Sequence, residues 1–526
     1  LKKVKEFPYM GGETIISVLF MNPDKENKSI YEEYKTVSED LHLEHILKNM
    51  INETKNGNLA NYFYIPLNDI DEIKYRHEIF MELEEKPSLF EGLRNFSDEM
   101  DVVKRELRFS DKIEYKYNKE GWWLEALRKY ITAVNKLNLF LSQIEVSSKG
   151  LGDFYTYLKE YVESKKFIEL KENFEKVRSA LEEVVYCLHI DGLKVMVYKY
   201  EEEDDKEYED EIIKTFERFK GVGYKEYDVK IPIRTGMDHV ENEIINAVAR
   251  LYPQHFELLD NLYTSYYQFL DRVIDRFSEE IKFYLDYLDF IKIFKEKGLK
   301  FCYPEVTKNK EDLYLYDGFD FALSYEKIRK DEPVIVNDFW VGEKERIIIV
   351  TGPNQGGKTT FARMFGQIHY LTKLGVPIPG TKAKIFLCDN IFTHFEREEK
   401  VQNLKGKLES DLLELKHILS SATSESLIIL NETFSSATMS DAKFLAKNVI
   451  QKILDLDCYA LYVTFIEELA FMGEKVVSMV ATVSKEDPSI KTFKIIRKPA
   501  DGKAYAILLA EKYGLTYEKL KRRLGA

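Results

Sequence analysis

Residues 346–365 read Arg-Ile-Ile-Ile-Val-Thr-Gly-Pro-Asn-Gln-Gly-Gly-Lys-Thr-Thr-Phe-Ala-Arg-Met-Phe, and no other stretch restricts the fold as much. Ile347 to Val350 have the branching and length of a buried strand. The run enters Gly352-x-x-x-x-Gly357-Lys358-Thr359, and the residues beyond have helical spacing. Strand, glycine-rich loop and helix in that order form a phosphate-cradling P-loop. Glycines allow backbone N–H groups to curl around an anion, and the helix N-terminus adds partial positive charge. Gly352, Pro353, Asn354, Gln355, Gly356, Gly357 and Thr360 are therefore expected to wrap a nucleotide. Lys358 is expected to bridge its β- and γ-phosphates, and Thr359 to offer its hydroxyl to Mg2+.

A second polar site closes another apolar run, Ser426-Leu-Ile-Ile-Leu-Asn431-Glu432. Glu432 can orient or deprotonate an attacking water. Asn431 occupies a place where a carboxylate would grip Mg2+ more strongly, and it keeps the oxygen acceptor without the charge. Arg346–Val350, Ser426–Leu430, Tyr459–Thr464 and Val476–Val483 alternate with helical segments, which describes an α/β sheet covered by helices.

Upstream the pattern differs. No proline falls between Pro87 and Pro232, which permits long helices, and residues 40–190 are read as mostly helical. Residues 193–200 alternate like a strand, with residues 226–234 as a candidate partner. From Asp238 to Lys297 the helical pattern returns, and Tyr263, Tyr266, Tyr267, Phe269 and Phe277 read as helix packing.

Charge limits the partners. The whole chain carries −14, with about +2 on residues 331–526 and about −16 on residues 1–330. Nonspecific nucleic-acid binders are usually basic, because released counterions supply their affinity. An extensive phosphate-binding face is thus not expected in the first 330 residues, where Glu201–Asp210 alone carries −7. Cys187, Cys302, Cys388 and Cys458 show no CxxC spacing and fit reduced thiols in a cytoplasmic protein. No apolar run approaches the ~18–20 residues of a membrane span, and the N-terminus has no basic-then-apolar signal pattern.

Thr351-Gly-Pro-Asn-x-Gly-Gly-Lys-Thr-Thr resembles the P-loop variant of the MutS mismatch-repair ATPases, a branch of the ABC class. Gly375-Val-Pro-Ile-Pro, Asp389-Asn-Ile-Phe-Thr-His-Phe and Leu413 through Glu432 are similar to the family's segments in the same order. Asn68 through Phe80, and Leu285 through Tyr303-Pro-Glu, resemble its core and lever stretches. The resemblance implies an ABC-type α/β P-loop ATPase domain at the C-terminus, preceded by a mostly α-helical core and lever region. Residues 1–100 would be the N-terminal part of the core, and 101–235 a lever with a reduced clamp near 193–234. Residues 236–330 would be the returning lever, and 331–526 the ATPase domain, with a helix-turn-helix dimer brace at 501–522.

The resemblance also implies ATP and Mg2+, with Thr359 and Asn431 on the metal, Glu432 as the catalytic residue, and Val334 and Asn337 beside the base. In a homodimer, Gly406, Lys407 and Ser410 of a signature helix and Asp441 of a D-loop would face the partner's nucleotide. The implied partners are double-stranded or branched DNA and a repair protein; the alternative is a ribonucleoprotein or protein target. Departures accompany the matches. Thr464-Phe465 stands where the family has Thr-His, and Ser436-Ala-Thr-Met439 where it has Gly-Thr-Ser-Thr. Val334 replaces the adenine-stacking aromatic, with Phe339 and Trp340 nearby, so slow hydrolysis is expected. The family's N-terminal mismatch-reading domain is not recognised, and Phe80-Met-Glu82, which fits its wedge pattern, reads as helix packing.

Overall fold

A computed structural model describes residues 16–22, 31–54, 60–192, 194–200, 237–396, 406–484, 490–500 and 515–524. They divide into two compact units. The first takes the described residues up to Lys86, Ser148–Gly150, and those from Lys282 onward; the second takes Pro87–Ser147 and those of Leu151–Ile281.

Helices come first along the chain: α1 (Tyr31–Asp40), α2 (Leu43–Thr54), α3 (Ala60–Phe63), α4 (Ile70–Glu85), α5 (Pro87–Ser110), α6 (Lys116–Leu141), α7 (Lys149–Glu163) and α8 (Lys165–Glu182). A hairpin of β1 (Tyr186–Asp191) and β2 (Lys194–Lys199) follows, then α9 (His239–Leu251), α10 (Pro253–Tyr266) and α11 (Arg272–Glu296). The remainder alternates: β3 (Phe301–Cys302), β4 (Glu305–Thr307), β5 (Leu313–Gly318), α12 (Phe321–Arg329), β6 (Asn337–Val341), β7 (Ile347–Thr351), α13 (Lys358–Lys373), β8 (Ile378–Pro379), β9 (Lys382–Phe386) and β10 (Ile391–Phe395). Then come α14 (Lys407–Ser421), β11 (Leu427–Asn431), α15 (Met439–Leu456), β12 (Tyr459–Val463), β13 (Val476–Val483), β14 (Lys491–Arg497) and α16 (Tyr517–Leu524).

In the second unit, aromatic side chains make the core. Phe154 stacks on Phe277 with ring centroids 3.4 Å apart, and Trp123 meets Tyr263 and Phe269 edge-on. The aromatic stripe read from the sequence is therefore packing. The strand expected at 193–200 is present as β2, but it pairs with β1, which the helical reading of 40–190 had included. Asp191-Gly192 is the local turn signal for that hairpin, with Gly192 at φ +58°. The proposed partner 226–234, the acidic run 201–210 and most of the clamp region lie outside the described residues, as do residues 501–514 of the brace.

The first unit is mixed α/β. Its main sheet runs β10-β11-β12-β7-β13-β14, parallel except for β14, which pairs antiparallel with β13. Every residue of β7, β11 and β12 is buried, as a parallel sheet covered on both faces requires. A second sheet, β4-β9-β5-β6, stands beside it. Lys491–Arg497 forms the edge strand β14. Phe80 lies fully buried among Phe283, Tyr284 and Tyr287, so Phe80-Met-Glu82 is packing, as the sequence suggested.

Arg76 of α4 is the most demanding residue of this unit. It has no exposed surface, donates from Nε to the Leu19 carbonyl (3.0 Å) and from a terminal nitrogen to the Leu374 carbonyl (2.7 Å), and faces the Phe20 and Phe283 rings. A buried guanidinium persists only where acceptors and π-faces replace water. Arg76→Ala strips two buried carbonyls of their donor. It should cost about 2–4 kcal/mol, read as a lower denaturation midpoint without loss of the urea m-value.

Candidate nucleotide site

The loop between β7 and α13 is shaped by three backbone constraints. Gly352 has φ +118°, and a Cβ there would sit 2.9 Å from the Ala481 carbonyl oxygen and 3.0 Å from its nitrogen. Gly357 has φ +92° and precedes α13 without any capping side chain. Gly356 N–H donates to the Pro353 carbonyl (3.1 Å) and closes the turn between them. The first N–H groups of α13 thus lack a side-chain acceptor and carry the helix's positive end. That is an anion cradle.

Lys358 opens the helix with only 2% of its side chain exposed. Its Nζ donates to the carbonyls of Gly352 (3.1 Å) and Pro353 (3.3 Å) and to Asn354 Oδ1 (3.4 Å), and lies 3.6 Å from Glu432 Oε1. Burial lowers its pKa, and the Glu432 carboxylate opposes that shift. Glu432 follows β11 with φ +52° and donates its N–H to the Val463 carbonyl (2.9 Å). The register aligns Asn431 with Val463 and Val463 with Val350, so these polar groups gather at the C-terminal edge of the parallel strands.

A cavity of about 340 Å3 opens over this edge. Of the residues expected from the sequence, Gln355, Gly357, Lys358, Thr359, Thr360, Glu432, Val334 and Asn337 line it. Gly352, Pro353 and Asn354 lie behind Lys358 as its carbonyl and amide partners. Asn431 is 5% exposed, and its Oδ1 is a buried acceptor with no hydrogen-bond partner among the described residues; the Thr351 hydroxyl is in the same condition. Neutral oxygen donors beside a phosphate cradle fit Mg2+, a hard ion that keeps several waters and takes further ligands from phosphates. No cluster of three or more acidic, histidine or cysteine ligands exists among the described residues, so a tight all-protein cation cage is not built.

The base end departs from expectation. Asn337 spends its side chain on β14, donating to the Phe493 carbonyl (3.1 Å) and accepting from Ile495 N–H (2.8 Å). Phe339 is buried against Phe365 and His369, and Trp340 lies under the Arg497 guanidinium at 3.6 Å. Neither aromatic lines the cavity; Phe493 does, at 47% exposure. A shift in the β13–β14 register and a φ of +56° turn its ring toward the loop, 3.6 Å from where a Gly357 Cβ would be. Sequence reading missed Phe493, because nothing in Lys491-Thr-Phe-Lys marks a bulge. It also missed Asp320, a buried wall residue whose Oδ1 accepts from Leu323 N–H (3.1 Å) and Gln367 Nε2 (3.0 Å) and whose pKa burial raises.

Of the residues expected to act across a dimer, Gly406, Ser410 and Asp441 do not line the cavity. Gly406 and Lys407 begin α14, with Ser410 N–H bonded to the Gly406 carbonyl. Asp441 begins α15, where it pairs with Thr438.

Residues 348–522 match the family model described as MutS domain V. These residues form a MutS domain V. It is 28% identical over 294 residues to the DNA mismatch repair protein MutS of Clostridium botulinum (strain Langeland / NCTC 10281 / Type F), covering 54% of this chain and 31% of that protein. It is 30% identical over 237 residues to the MutS of Chlorobium phaeobacteroides, covering 44% and 27% respectively. The matched region spans about a third of these relatives. MutS proteins are ATPases, and the glycine loop, Lys358 and Glu432 lie inside the matched domain.

Gly352→Ala tests the loop directly. The added methyl meets the Ala481 backbone in a left-handed conformation, which should cost about 1–3 kcal/mol. Thermal denaturation should show a lower midpoint and no upward shift on adding ATP and Mg2+, whereas the unmodified protein shifts upward.

Proposed function

We propose that the chain is an ATP-binding and ATP-hydrolysing MutS-like protein that works as a dimeric clamp on DNA, in mismatch-repair-like or branched-DNA processing. One observation carries this reading: an uncapped helix N-terminus, a buried lysine and a glutamate 3.6 Å from that lysine converge on one cavity.

The P-loop reading gives each residue a role. The loop N–H groups would receive the β-phosphate. Lys358 would leave its carbonyl partners and Glu432 for the β- and γ-phosphates, which frees Glu432 to accept the proton of an attacking water. Thr359 and Asn431 would hold Mg2+, which supplies charge neutralisation on the phosphates when bound. Asn431 brings no charge, and Phe465 offers no hydrogen bond to a γ-phosphate, so turnover is slow. Phe493 would stack on the base in place of the aromatic missing at Val334. Stacking of this kind contributes ~1–3 kcal/mol in nucleic-acid sites.

Completion by a second copy follows from the family resemblance. Gly406, Ser410 and Asp441 do not line their own cavity, and with Lys407 they would face a partner's. ATP then acts mainly as a clasp between two ATPase domains.

Glu432→Gln should lower steady-state phosphate release at least 100-fold while leaving ATP affinity within about threefold. Sedimentation of that variant with ATP and Mg2+ should show an accumulated dimer. A monomer under those conditions, or an unmodified protein without turnover, removes the ATPase clamp. Gel shifts with duplex and four-way-junction DNA at low and high salt test the target. Failure on every DNA at low salt moves the target to a ribonucleoprotein or a protein.

A further inference from the structure

A helix packed on a sheet should turn apolar residues inward, and α14 does so with Leu408 packed against the core of the main sheet. Leu415 and Ile418 are buried in the core of the main sheet. Yet Asp411 and Glu414, one turn apart near Leu415, are directed at the buried ring of His394. Two carboxylates approaching a core are costly unless a cation meets them.

His394 is the fourth residue of β10 and is 4% exposed. Its Nε2 lies 3.4 Å from Asp411 Oδ1, and its Nδ1 lies 3.0 Å from Glu414 Oε2 without hydrogen-bond alignment. Its neighbour Thr393 points to the opposite sheet face, where it donates to Asp40 (2.7 Å). The residue beside His394 on β11 is the apolar Leu430. On β12 the buried Tyr462 senses the Asp411 charge, and its hydroxyl shares a hydrogen bond with Thr433, the residue after Glu432. The groups around the imidazole are therefore Asp411, Glu414 and, beyond Asp411, Tyr462.

We propose that His394 is a positioning residue: its cation fixes the first turns of α14, and with them Ser410, relative to the Glu432–Thr433 turn. The assignment of α14 as the helix that faces a partner's nucleotide rests on the function proposed above; the ion cluster itself does not. Ser410 immediately precedes Asp411, so a grip on Asp411 sets the angle at which Ser410 is presented. Tyr462, hydrogen-bonded to Thr433 beside Glu432, lies within the field of Asp411.

Electrostatics agree with the geometry. Burial alone would lower the His394 pKa, but the two carboxylates reverse that and raise it from 6.5 to about 9. The folded value is the higher one. The ring is therefore a cation at neutral pH, and its stabilising contribution is complete below about 6.5 and lost as pH rises through about 9.

Three variants test the proposal in the full chain: His394→Gln, which is neutral; His394→Arg, which is permanently charged; and the double variant His394→Gln/Asp411→Asn. Hydrogen exchange of residues 407–421 reports on the helix, and ATP turnover between pH 7 and 10 reports on its use. His394→Gln should speed exchange in α14 at least tenfold at pH 7 and lower turnover by a similar factor. His394→Arg should restore both, and should abolish the alkaline decline expected of the unmodified protein. The double variant, with neither charge, should recover part of the protection, and it covers the case in which the single Gln variant fails to fold. Unchanged α14 exchange in His394→Gln, or His394→Arg as impaired as the Gln variant, overturns the proposal. An unmodified protein without turnover defeats the ATPase reading alone, because the exchange experiment still decides the role of His394.

Discussion

The first unit depends on α13 being enclosed. The helix begins at Lys358, under the anion cradle, and almost every residue from Phe361 to Lys373 is buried. A helix surrounded by protein must satisfy its polar side chains from its neighbours, and α13 does so with main-chain groups drawn from distant segments. Gln367 donates to the Leu41 carbonyl and Asp320, Tyr370 to the Phe63 carbonyl, and Lys373 to Asn68 and the Asp389 carbonyl. Gly366 is required because a Cβ there would lie 2.4 Å from Leu41. At the far end, Arg76 takes the Leu374 carbonyl, and Gly375, at φ +67°, lets the chain turn past it. The residues that would hold phosphate and those that hold the residue 16–76 segments therefore sit on one rigid rod. A shift at the loop cannot be absorbed by bending the helix, because close-packed interiors rearrange between discrete states rather than yield continuously.

Charge in the cavity is nearly balanced within the protein itself. Lys358 rests against carbonyls and the Glu432 carboxylate, partners that a phosphate outcompetes on charge alone. The opposite end is lined by Leu323, Val334, Ile335 and Phe493, with Lys327 and the buried Asp320 as its charged side chains. A polar, positively tipped end and an apolar end in one cleft match the two ends of a nucleotide.

Much of this arrangement was legible because the strands that position the site are buried on both faces. Ile347–Thr351, Leu427–Asn431, Tyr459–Val463 and Val476–Val483 fall within a residue of the runs read from the sequence. Where a strand carries buried polar groups the apolar signal fails. β10 holds Thr393 and His394, whose partners Asp40 and Asp411 are supplied from far along the chain. It was recognisable only through family resemblance. β14 is hard to read for a different reason: it is an edge strand whose lysines break the apolar run. Phe493 could not be found at all from periodicity, since a bulge moves a side chain to the other face without changing residue type.

Backbone strain is unevenly distributed, and its location bears on how the site works. Of the non-glycine residues with positive φ, Gln355, Glu432 and Phe493 line the cavity, and Phe434 is two residues from Glu432. Such conformations cost of order 1–3 kcal/mol each and survive only where surrounding contacts over-determine them. Here the contacts are visible: Glu432 is held by Val463, and Phe434 is buried in the sheet core. Lys491 is tied to Gln355, and Asn337 pins the Phe493 carbonyl. Each strained residue is thus clamped by a strand rather than by a loop. Glu432, the loop and the Phe493 ring are held in place before any ligand arrives, so that binding energy need not be spent on ordering them.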